Sequence, residues 1–362
     1  MKKHFVTFAT AAAMASPLAI MADANAEWFD IYGRVHVSLD MEAYDDANGD
    51  SGSFAVHDRS SRLGIRGNRD LDAGVNVFYQ YELGLFYQEF QNLQQVLDGG
   101  MSQRDTFIGF SSDGFGSLRT GRLPAGNAIV YGAGANFFPT MAGDAGNVIN
   151  AVTPFGGRVG ITDNKNPIEY TAPIAGPLGV IVTFVPSAVD TPDDQQHDFM
   201  VRATFADGPI DSQFTLAQHN HDADDADTVI AAQGSFDMGG GMKVGGGLVM
   251  NSSDLDDNDN MALWFGGAMQ MTPAGTVKAQ LSQFMGDADD TDSTIIAVGY
   301  DHALAAQTTL YAALAIQSND EFHTLYNGAD GMPHTYASSA ETTTIGGDED
   351  ATVVSFGVTH NF

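Results

Sequence analysis

From residue 30 to the end of the chain, apolar side chains recur at every second position. Ile31, Gly33, Val35, Val37 and Leu39 fall on one face, and Tyr32, Arg34, His36, Ser38 and Asp40 on the other. Val75, Val77, Tyr79, Tyr81, Leu83 and Leu85 alternate with Asn76, Phe78, Gln80, Glu82 and Gly84. The same pattern runs through Leu310, Ala312, Leu314 and Ile316, and through Val354, Phe356, Val358, His360 and Phe362. A helix would place its apolar residues at i, i+3 and i+4, so this period of two specifies strands with one apolar and one small or polar face. Beyond residue 26 no apolar run reaches the roughly 18 residues of a membrane-crossing helix. Any crossing must use strands, and hydrocarbon tolerates strands only where ring closure pairs every backbone donor.

The connections alternate in length. Short turns are expected at 68–74, 112–116, 173–179, 206–209, 238–241, 272–275 and 303–307. Longer polar loops are expected near 45–57, 88–102, 123–157, 187–196, 220–227, 251–260, 286–293 and 318–350. The stretches between them number sixteen, each leaving room for a strand of about ten residues plus its connection. An even number of antiparallel strands, with short turns on one rim and long loops on the other, predicts a sixteen-stranded transmembrane β-barrel. A secreted β-sandwich is the competing fold, but it would bury its inner face. Long strands here carry Arg202, Lys278, Gln280 and Ser282 on the second face.

Charge narrows the function. The chain has 46 Asp and Glu against 15 Lys and Arg, a net charge of −31. Such a chain repels phosphate backbones, which excludes nucleic acid as a partner. The absence of cysteine excludes thiolate metal sites, disulfides and Cys nucleophiles. Lys2 and Lys3, an apolar run over 5–21, and Ala24-Asn25-Ala26 form an export signal, so cleavage is expected after Ala26 and the barrel over 27–362. The long loops other than 88–102 and 123–157 hold 25 carboxylates and no Lys or Arg. One rim is therefore acidic, a solvated face that also concentrates cations. Asp254-Leu255-Asp256-Asp257-Asn258-Asp259 echoes a calcium loop, but Asp259 stands where glycine is required and no Glu follows at the twelfth position. No metal or other cofactor is expected.

The basic residues gather elsewhere. Arg34, Arg59, Arg62, Arg66, Arg69, Arg104, Arg119 and Arg122 lie within residues 34–122, and Arg158 lies just past the 123–157 loop. Alternation aims Arg34, Arg62 and Arg104 into the barrel, and aims Asp105 outward. The 123–157 loop is rich in Gly and Ala, carries Phe137, Phe138 and Pro139, and has one carboxylate, Asp144. A loop of that length is functional or disordered. Folding into the lumen would bury the aromatic pair and narrow the channel.

The signal sequence, DIYGRVHVSLD, SSRLGIRGNRDLDAG, QRDTFIGFSSDGFGSLRTGR, GGRVG and the terminal Phe362 together resemble the general trimeric porins of Gram-negative outer membranes. The resemblance implies a homotrimer seated in outer-membrane lipid, passing small hydrophilic solutes and ions through a charge-lined channel. It implies an inward-folded constriction loop facing a basic wall, which by motif is Arg34, Arg62, Arg104 and Arg158, with Arg122 a weaker match. Enterobacterial members carry Pro-Glu-Phe-Gly-Gly-Asp at the loop tip. Here Pro139-Thr140-Met141-Ala142-Gly143-Asp144 stands in that place, so Thr140 replaces the glutamate. The resemblance also makes 88–102 a latch onto a neighbouring subunit, with Glu89 as an ion-pair donor, and Phe362 a signal for the assembly machinery.

No nucleophile elbow, phosphate loop or zinc-binding H-E-x-x-H is present, so no enzymatic activity is expected. A solute-specific channel using Tyr131, Phe137 or Phe138, and an adhesion barrel using the acidic loops, remain as alternatives to general diffusion.

Overall fold

The computed structural model describes residues 29–46, 49–85, 101–153, 166–186, 197–220, 225–254, 259–287, 291–320 and 350–362. The strands are β1 (Asp30–Asp46), β2 (Gly49–Asp58), β3 (Arg62–Asp70), β4 (Asn76–Leu85), β5 (Met101–Ser112) and β6 (Gly116–Arg122). They continue with β7 (Ile168–Thr171), β8 (Leu178–Val185), β9 (Asp198–Asp207), β10 (Ile210–Asn220), β11 (Ala226–Gly239) and β12 (Met242–Ser253). The last are β13 (Met261–Gln270), β14 (Gly275–Met285), β15 (Ser293–Ala305), β16 (Thr308–Asn319) and β17 (Asp350–Asn361). Each pairs antiparallel with its sequence neighbour. β2 and β3 both lie along β1, from Val37↔Asp58 outward and from Arg34↔Arg62 inward, so they are two halves of one strand. β1 pairs with β17 from Arg34↔Asn361 to Tyr44↔Ala351 and closes the sheet. The result is a closed sixteen-stranded antiparallel barrel.

The break between β2 and β3 has a local cause. Asp58 Oδ1 accepts hydrogen bonds from Ser60 N at 3.0 Å and Ser61 N at 2.9 Å, and Ser60 takes a positive φ of 76°. The loop expected over 45–57 is corrected here, because strands occupy all of it except 47–48. Phe54 and Val56 continue the outward apolar row and His57 the inward one, so the hairpin extends well past the predicted end.

Alternation decides which face is which. Phe265 is 63% exposed and its neighbour Trp264 only 2%. Ile31, Tyr79, Tyr81, Leu281, Ile296 and Phe356 share the outward side. Buried polar residues, among them Arg202, Lys278, Gln280 and Ser282, face inward as expected. The inner face of β10–β17 differs from expectation. It carries Ala217, Val229, Ala231, Val249, Ala262, Ile295, Ala297, Ala313 and Val353, all buried.

These residues are buried because residues 123–153 pack on them, inside the barrel. That segment contains short helices at Asn127–Tyr131 and Gly146–Val152, and its Ile129, Val130, Phe138, Val148, Ile149 and Val152 join the inner-wall side chains in one apolar cluster. Gly143 marks the closest approach. It adopts φ +86°, and a Cβ there would collide with the Ala297 methyl.

Candidate functional site

Two constructions meet inside the barrel: the 123–153 segment, and a row of arginines on the wall it does not cover. Side-chain amides from the strands hold the segment by its backbone. Gln280 Oε1 accepts from Phe137 N at 2.8 Å, and Gln280 Nε2 donates to Gly143 O at 3.0 Å. Gln213 and Gln233 donate to Ala128 O at 2.8 and 2.9 Å, and Ser235 Oγ donates to Ala133 O at 2.6 Å. Lys278 lies 4.7 Å over the Phe138 ring and pairs with Asp301 at 2.9 Å.

Asp144 organises the segment from within. Its carboxylate accepts from Tyr131 Oη at 3.0 Å, Asn136 Nδ2 at 2.6 Å, Thr140 N at 2.6 Å and Gly146 N at 2.7 Å. Burial pushes this carboxyl above the ordinary range, and the four donors oppose the shift. All four donors come from the segment, so the acid serves loop shape. Phe138 is wholly buried, and Phe137 packs against the cluster. Pro139 is partly covered and leads into Thr140, which has a positive φ of 59°. Thr140 Oγ1 accepts from Arg34 Nη2 at 3.4 Å and lies 3.3 Å from His36 Nδ1.

Arg34 is the near end of the basic row. It sits directly opposite Arg62 across the β1–β3 ladder. Glu82 on β4 then joins Arg62, at 3.7 Å, to Arg104, at 2.6 Å, while accepting from Tyr32 Oη at 2.9 Å. Two guanidiniums thus share one carboxylate, with Arg34 beside them. Arg104 reaches this row because the β4–β5 register shifts between Tyr81 and Leu83, so two β5 residues oppose Glu82. Ile108 and Phe110 are outward, and without the bulge Arg104 would join them. The bulge also corrects the outward assignment of Asp105, which takes the inward place of Phe107 and Gly109. Arg122 pairs with Thr106 and has a buried Nε, and the φ of +135° at Gly121 interrupts the alternation that runs through Leu118 and Thr120. Arg158 and Glu89 lie outside the described residues, as do the signal segment and residues 154–157.

Sequence reasoning missed a second cluster. Glu169 on β7 accepts from Arg119 Nε at 2.8 Å and Nη2 at 2.5 Å, from Arg202 Nη2 at 2.5 Å, and from Thr183 Oγ1 at 3.0 Å. Inward parity of Arg119 and Arg202 on the two sides of a strand carrying one acid was the available signal. At the seam, Phe362 N donates to Gly33 O at 3.0 Å and Gly33 N to Phe362 O at 2.9 Å.

A one-sided basic lining thus stands inside a closed barrel, set against an in-folded segment. The sequence model of the Gram-negative porin family matches residues 9–321. The chain belongs to the Gram-negative porin family. Outer membrane porin protein 32 of Delftia acidovorans is 24% identical over the whole of both chains. Major outer membrane protein P.IB of Neisseria sicca is 25% identical over 57% of this chain, a match spanning about half, 53%, of the Neisseria protein. Among solved structures, an anion-selective porin from Comamonas acidovorans superposes with a TM-score of 0.75 at 21% identity, covering 92% of this porin and 99% of that chain. OmpT of Vibrio cholerae superposes with a TM-score of 0.65 at 14% identity, over 93% of this porin and 99% of that chain. The porin is thus an outer-membrane channel of a Gram-negative bacterium rather than an enzyme.

Proposed function

We propose that this porin is a general-diffusion channel for small hydrophilic solutes, narrowed between the 123–157 loop and the Arg34–Arg62–Arg104 wall, with anions favoured at that point. The observation that carries the reading is the imbalance across the opening. Three guanidiniums stand on the wall with two carboxylates, Glu82 and Asp105, among them, and the loop tip offers Thr140 while Asp144 is spent inside the loop. A transverse field of that sign orients polar solutes and lowers the barrier for anions. The Comamonas porin of similar fold is described as anion-selective, which accords with this reading. We further propose a homotrimer with its outward rows against lipid and neighbouring subunits, Glu89 contributing to the subunit latch, and Phe362 read by the assembly machinery.

The test is single-channel recording in planar bilayers under a salt gradient. Stepwise conductance without saturation supports general diffusion, and block by one solute class would instead assign a specific channel. Replacing Arg62 and Arg104 by Gln should move the reversal potential toward cations. An unchanged potential would mean that these side chains do not line the narrowest part.

A further inference from the structure

We propose that Asp40, Glu42 and His57 form a binding site for a borderline divalent metal ion of the Zn²⁺ type, separate from the basic row. Asp40 and Glu42 alternate on the inner face of β1, two residues apart, with outward Met41 between them. His57 comes from the next strand, and the register Ser38↔His57 sets it beside them. One ligand atom from each lies within 4.8 Å of the others. His57 Nε2 is 3.5 Å from Glu42 Oε1 and 3.9 Å from Asp40 Oδ2. Zinc bonds of about 2.0–2.2 Å place tetrahedral ligands about 3.4 Å apart, so a contraction of at most about 1.4 Å would close the triangle. All three side chains are at least nine-tenths buried, at 0%, 8% and 2% exposure.

A second observation comes from Asp40 itself. Arg59 engages Asp40 through Oδ2 and donates from Nε to Ser38 Oγ at 2.8 Å. Asp40 Oδ1, fully buried, has no hydrogen-bond partner among the described residues. A buried carboxylate oxygen without a donor is costly, and a cation removes that cost. Arg59 neutralises one of the two carboxylates and leaves the other to balance the charge of an incoming cation. One imidazole nitrogen and two carboxylate oxygens suit zinc or cobalt, with water completing the shell, whereas calcium requires six to eight oxygens.

Calorimetry on the purified full chain in detergent, titrated with ZnCl2 and separately with CaCl2, tests this. We expect a Zn²⁺ site of one equivalent per chain whose affinity falls at least about tenfold in both His57→Ala and Glu42→Gln, with no comparable Ca²⁺ site. Heat-modifiable migration on gels checks that each variant is folded. Should His57→Ala not fold, Glu42→Gln and the visible spectrum of Co²⁺ on the unaltered chain decide, a nitrogen-ligated low-coordinate band being expected. Identical Zn²⁺ isotherms in parent and folded variants would assign the binding to carboxylates elsewhere on the chain and overturn the proposal, as would no binding. Conductance plays no part in this readout, so its failure and the failure of the channel reading are distinguishable.

Discussion

At the scale of single residues, charge inside the barrel is nearly all paired, and the pairs differ in consequence. Glu82 joins two arginines of the opening, Arg62 and Arg104, by one long and one short ion pair. Glu169 is more deeply placed, 1% exposed, with Arg119 and Arg202 both on it. Removing one member of a buried ion cluster leaves its partners uncompensated, at a cost of about 3–5 kcal/mol. Glu169→Gln should therefore destabilise the folded barrel by about that amount, read as a lower urea midpoint in detergent. An unchanged midpoint would show that water screens the cluster. Alternation alone disclosed the inward direction of Arg34 and Arg62. It also aimed Arg104 inward but set Asp105 outward, because two residues opposite one is invisible in a single strand's periodicity. It could not show Arg119 and Arg202 converging on Glu169, which depends on register between β6, β7, β8 and β9.

At the scale of elements, the in-folded segment behaves as a small apolar core of its own. Its helices are five and seven residues long, too short to persist without packing. They persist here because Ala and Val on the inner wall of β10–β17 accept them. Those wall residues were the least legible part of the sequence. Small apolar side chains on the inner face resemble a neutral lumen until the loop is seen lying on them. Tight seating makes Gly143 a sensitive position, through both its positive φ and its contact with Ala297. Gly143→Ala should lift the loop tip off the wall. The expected result is noisier current with altered single-channel conductance, while barrel stability measured by urea changes little. A silent variant would show that the tip is free to move in the parent. The strand count, the short turns and most boundaries were readable, since each rests on local pattern. The 45–57 region was not, because its acids masked a hairpin that continues above the expected rim.

At the scale of the whole molecule, we expect two fields of opposite sign in series. The acid-rich connections carry most of the net charge and no basic residue, whereas the interior row is basic. Exposed rim charge is screened by salt, over about 3 Å at 1 M and about 30 Å at 0.01 M, while enclosed groups are screened much less. Lowering the ionic strength should therefore shift the reversal potential toward cations, as the rim begins to act across the entrance. A selectivity independent of salt would mean that the interior alone sets it. The seam has a different kind of consequence. Because the final residue hydrogen-bonds to Gly33 on the opening strand, the sheet has neither a first nor a last member. Residues as far as Phe362 must therefore be made before the wall can be sealed. Once sealed, the ring retains no memory of where the ribosome started, and any of the tight turns could serve equally as its origin.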